Sequence, residues 1–83
     1  MNEHMTISEL FYCLIQDIEE LTMHGPHELD ETVEFLDEMN LKEISEELTE
    51  EDKTKLGLLE STLRGKGYDQ FAEDLSVINE RLV

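Results

Sequence analysis

The sequence predicts an all-α fold, a small helical bundle of four main helices plus one short helix. Three observations carry that expectation. Apolar residues recur at three- and four-residue intervals through most of the 83 residues. No segment sustains the two-residue alternation of a half-buried strand. Two capping-box signals, Thr6 with Glu9 and Thr49 with Asp52, stand directly ahead of apolar stripes. The chain has no repeat and no linker long enough to divide it, so residues 1–83 read as a single acidic helical domain.

The first helix begins after Thr6 as N-cap, with Glu9 at N3. Ile7, Leu10, Phe11, Leu14, Ile18 and Leu21 form its stripe. Tyr12, Cys13 and Ile15 widen that stripe beyond the needs of one neighbouring helix. Gly25-Pro26 stops it near His24, with glycine expected in the left-handed position that follows a helix. A second helix is expected from about His27 to Met39, through Leu29, Val33, Leu36 and Met39, with Phe35 beside them. Asn40 either closes this helix or caps the next, since Glu43 lies three residues on. Leu41, Ile44 and Leu48 give the short fifth segment its apolar edge.

A helix from Glu50 to Arg64 then packs through Leu56, Leu59 and Leu63. Gly65-Lys66-Gly67 breaks it. The last helix runs from about Tyr68 to Leu82, with Tyr68, Phe71, Ala72, Leu75, Ile78 and Leu82 toward the core.

Charge is the second strong signal. Twenty-two acids against six Lys and Arg give a formal net charge of -16. That sign argues against direct contact with nucleic acid or an anionic membrane, both of which select cations. The longest apolar run near the start, LFYCLI, is too short for a membrane span or a secretory core. Cys13 is the single cysteine, so no intrachain disulfide is available. A soluble, cytoplasmic protein is the expectation.

The charge is unevenly placed. Residues 1–26 carry five acids and no Lys or Arg; residues 27–52 carry twelve acids and one cation, Lys42; residues 53–83 carry five of each. EISEELTEED, Glu43 to Asp52, is the densest stretch, with six carboxylates in ten residues. Glu50, Glu51 and Asp52 sit where a helix dipole favours anions. The rest have no such local reason, and Glu34/Glu38 and Glu43/Glu47 are like-charge pairs one turn apart, which destabilise a helix. Stability alone would have alternated the signs. The excess asks for a basic partner or a bound cation.

The cation is the weaker answer. No EF-hand loop is present, and the acids lie on helices. His24 and His27, with Asp30 or Glu31, offer a loose H-x-x-H at a turn that falls short of a zinc motif. No metal and no cofactor is expected. Cys13 has acidic neighbours, nothing that would stabilise a thiolate. There is no nucleophile elbow, phosphate loop or H-E-x-x-H, so no enzyme is expected.

Two binding classes remain. In the first, Glu28, Asp30, Glu31, Glu34, Asp37, Glu38, Glu43, Glu46, Glu47, Glu50, Glu51 and Asp52 act as an array. It imitates the charge of a nucleic-acid backbone and occupies the basic surface of a nucleic-acid-binding protein, inhibiting or modulating it. In the second, the protein is a helical adaptor or a homodimer that docks through apolar surface on the first helix, at Phe11, Tyr12 and Ile15, unless that wide stripe only marks the central helix of the bundle. In composition the chain resembles small acidic helical proteins that some bacteriophages direct against host enzymes. The stretch ELTEEDKTKL, Glu47 to Leu56, is similar to a segment of a small helical phage anti-sigma factor. The compositional resemblance implies a protein-binding inhibitor.

Overall fold

The computed structural model describes residues 5–25 and 27–82. Pro26, part of the expected stop after the first helix, lies outside the described residues. Four helices follow one another: α1 (Ile7–His24), α2 (Asp30–Ile44), α3 (Glu50–Gly65) and α4 (Asp69–Leu82). Among the described residues there is no strand.

The entry to α1 follows the capping-box logic. The Glu9 N–H donates to Thr6 Oγ1 at 3.1 Å, and the Thr6 N–H donates back to Glu9 Oε1 at 3.1 Å. Helix α1 packs against both α2 and α4, and α4 in turn packs against α3. A helix with two neighbours needs an apolar surface wider than one stripe, and α1 accordingly buries Leu10, Phe11, Leu14, Ile15 and Ile18.

This corrects one expectation. Phe11 and Ile15 are not a docking surface, because they fill the core between α2 and α4. Tyr12 alone of the three points outward, 58% exposed, with its hydroxyl accepting from Gln16 Nε2 at 2.9 Å. Leu29, Leu36, Met39, Leu56, Leu63, Ala72, Leu75, Ile78 and Leu82 complete the core. The helix stop at His24 is where expected, but Gly25 has φ -155° and is not left-handed.

Helix α2 differs more. It starts at Asp30, three residues late, and runs through Asn40 to Ile44, absorbing the short helix. Asn40 caps nothing. It lies one turn after Leu36 and so faces inward, where its Oδ1 is buried without a hydrogen-bond partner.

The helix stops instead in a Schellman turn. The Glu47 N–H donates to the Lys42 carbonyl at 2.8 Å and the Glu46 N–H to the Glu43 carbonyl at 3.1 Å. That geometry places Glu46 at φ 59°, in the left-handed region. Helix α3 ends in the same motif, with Tyr68 bonded to Leu63 at 2.9 Å and Gly67 to Arg64 at 3.2 Å. There the left-handed residue is Gly67, φ 90°, the residue type that adopts it without strain.

The two turns are thus alike in hydrogen bonding and unlike in side chain. Glu46→Gly should therefore stabilise the fold by about 0.5–1 kcal/mol, raising Tm by about 2–8 °C. Glu46→Ala removes the same charge and keeps the strain, so most of the gain should be missing from its melting curve. Equal gains in both variants would assign the effect to charge and not to backbone.

Candidate protein-interaction site

The acids of α2 form the most regular part of the array. Asp30, Glu31, Glu34, Asp37 and Glu38 are all exposed. At 100° per residue they fall within an arc of about 120°, opposite Leu36 and Met39. They span about 12 Å of helix axis, close to one carboxylate every 3 Å, against about 3.4 Å per phosphate along one DNA strand. Glu46 and Glu47 extend the charge onto the exposed turn, while Glu43 is half-buried.

Partners divide the array. Among the described residues, Glu31, Glu34, Asp37, Glu38, Glu43, Glu46 and Glu47 make no ion pair and no side-chain hydrogen bond. Glu50 and Glu51 are exposed but paired within α3, to Lys53 at 3.5 Å and Lys55 at 3.7 Å. Asp30 lies 3.5 Å from His27 Nδ1. Such exposed pairs hold little energy, so these acids stay available.

Two residues leave the array. Glu28 accepts a hydrogen bond from the Tyr68 hydroxyl, tying the loop before α2 to the start of α4. That carboxylate, with burial, pushes the Tyr68 phenol up. Asp52 is 4% exposed and belongs to the interior. Its Oδ2 accepts from the Thr49 N–H at 3.1 Å, and Lys42 Nζ from α2 reaches both of its oxygens at 3.3 Å. The Thr49 N–H, then the Thr49 and Lys42 side chains, hold this carboxyl below the usual aspartate range despite burial. Asp52 is an anchor and is unavailable to a partner.

Elsewhere, His24 and His27 are exposed, and no group of three or more His, Cys, Asp or Glu converges to hold a metal among the described residues. Cys13 is exposed beside a shallow hollow shared with Asp17 and Asp74. No protein-family model matches the chain, and neither does any curated protein or solved structure.

Three features had no clear sequence signal. The Lys42–Asp52 contact depends on where two helices cross. The Tyr68–Glu28 bond joins residues forty apart. The third is Asp74, where α4 meets α1. Burial, then the charges of Asp17 and Glu73, push its carboxyl up, and a hydrogen bond from Gln70 at 3.2 Å offsets this only in part.

A raised carboxyl pKa in the fold means that ionisation destabilises it. The penalty is full at neutral pH and disappears below the unfolded-state pKa of about 4. Asp74→Asn keeps the acceptor for Gln70 and should raise Tm at pH 7 by about 1–3 °C. Thermal melts from pH 7 to pH 3 should show that advantage shrinking to nothing. A constant advantage across the range would point to packing instead of charge.

Proposed function

We propose that the protein binds a basic, nucleic-acid-handling protein and inhibits or modulates it by occupying its nucleic-acid surface, acting in the cytoplasm. Seven neighbouring carboxylates that form no ion pair among the described residues, on α2 and the turn after it, are the observation that supports this most directly. Their spacing along α2 approaches that of a phosphate strand. A basic surface meeting this face would gain by releasing counterions and by long-range steering. The composition, which resembles that of small acidic phage inhibitors, is in keeping with the reading.

Two details add support. Glu46 holds a backbone conformation in which glycine is cheaper, so a carboxylate there is kept against local preference. The one cation of residues 27–52, Lys42, is spent on Asp52 and leaves the outer face of α2 without an ion pair from its own segment.

The test combines Glu34→Gln, Asp37→Asn, Glu38→Gln, Glu43→Gln and Glu47→Gln, all at carboxylates without a structural partner. The helix should survive, since glutamine is close to glutamate in propensity and single asparagine substitutions cost little. Binding to the partner retained from host extract should fall about tenfold or more, and duplex DNA should displace the wild-type protein from it. A stable ternary complex of protein, partner and DNA would contradict the reading.

A further inference from the structure

Helices α2 and α3 are consecutive, yet each packs on a different helix, α2 on α1 and α3 on α4, and they share no comparable interface. Between them runs a shallow, open trough. Its apolar floor is Phe35 from α2 with Leu58 and Leu59 from α3, Thr62 lies at one end, and Glu31 and Lys55 form the rims. Leu58 is 63% exposed in mid-helix, where a charged residue would serve the helix equally well. On α3, Glu51, Lys55, Leu58 and Thr62 follow one another at helical spacing over about 16 Å. On α2, Glu31, Thr32 and Phe35 line the facing side.

We propose that this trough seats an amphipathic helix of the partner protein, with an apolar stripe on the floor and Lys or Arg along its flank. This rests on the proposed function for the sign of the partner's charge and adds the element that docks. The setting suits a helix, because the lining comes from two helices, Glu31, Thr32 and Phe35 on α2 and Lys55, Leu58, Leu59 and Thr62 on α3, whose spacing a third helix can match. No cluster of polar groups converges on the floor, as a small-molecule pocket requires.

The charge selects a basic flank, and on one side. Glu31 on the α2 wall has no ion-pair partner among the described residues, and neither have Glu34 and Glu38, exposed on the same helix. On the α3 wall Lys55 is paired with Glu51, so that wall adds no net charge. The lysines of the bound helix therefore lie toward α2. A second copy of this chain is the wrong occupant. Two chains of net charge -16 would bring like-charged α2 walls together in a symmetric dimer.

The test uses a synthetic helix of about five turns, with a leucine stripe flanked by lysines. One control has the same composition in scrambled order, and another replaces its lysines with glutamates. The proposal expects the striped basic peptide to shift the amide resonances of Phe35, Leu58 and Leu59. It should bind about tenfold or more tightly than the scrambled peptide. Leu58→Gln should remove that difference while leaving Tm nearly unchanged, because Leu58 is exposed and glutamine is close to leucine in helix propensity.

Equal binding of the striped and scrambled basic peptides, with shifts confined to the outer face of α2, would overturn the trough while the basic-partner reading stood. Equal binding of the acidic striped peptide would overturn the charge selection. Concentration-dependent shifts at Leu58 in the protein alone would make a second copy the occupant and overturn the proposal. Failure of every basic peptide to bind would overturn both readings.

Discussion

The Lys42–Asp52–Thr49 junction is the contact on which the arrangement of the acidic half depends. Asp52 does two jobs with one carboxylate: it completes the capping box that starts α3, and it receives the lysine that reaches across from α2. Local helix initiation and tertiary docking are thereby fastened to the same atoms. The junction holds the end of α2 to the beginning of α3, while further along the two helices are free to pack on α1 and α4. The trough between them follows from that geometry. So does the bare charge of α2, because the cation that might have relieved it is fixed at the junction.

Around that junction the core is conventional. One helix, α1, supplies five buried side chains and sits between α2 and α4, and the radius of gyration of 12.0 Å matches the value of about 12 Å expected for a folded chain of this length. The departures from local preference lie elsewhere. Glu46 takes a left-handed backbone, Asn40 turns an unpartnered oxygen inward, and Met23, Leu41, Ile44 and Leu58 show large apolar side chains to water. Glu46 and Leu58 lie on the surfaces proposed for a partner. Such departures fit a sequence that serves a binding surface as well as its own stability. Asn40 has no such account.

Much of the fold was legible because its signals are local. Thr6 with Glu9 and Thr49 with Asp52 announce helix starts through contacts three residues apart, and both boxes form as their spacing implies. Asn40 carried the same kind of signal and misled. The choice between a cap and a continuing helix was made by burial of its face against the rest of the bundle, which three residues cannot encode. The stop at Glu46 was equally hidden, since no glycine marks it.

The candidate site was half legible. The charge of α2 and its outward face follow from composition and helical phase. That Phe11 and Ile15 are interior required knowing that α1 has two neighbours; a wide stripe looks the same whether it serves a core or a dock. Asp52 looked like one more acid in a run until Lys42 was found across from it. The trough had no signal at all, because it arises from packing that α2 and α3 do not share.

The central claim is that the negative charge exceeds what the fold uses. The dependence of Tm on NaCl tests it most directly. Screening weakens the favourable terms, the helix-start carboxylates and the surface ion pairs, and it also weakens repulsion among the unpaired acids. If repulsion dominates, Tm rises steadily between about 10 and 300 mM NaCl, the range over which the Debye length falls from about 30 to below 8 Å. That rise is the predicted result. A Tm that is flat or falls with added salt would show the acids already compensated within the fold, and the case for a basic partner would lose its premise.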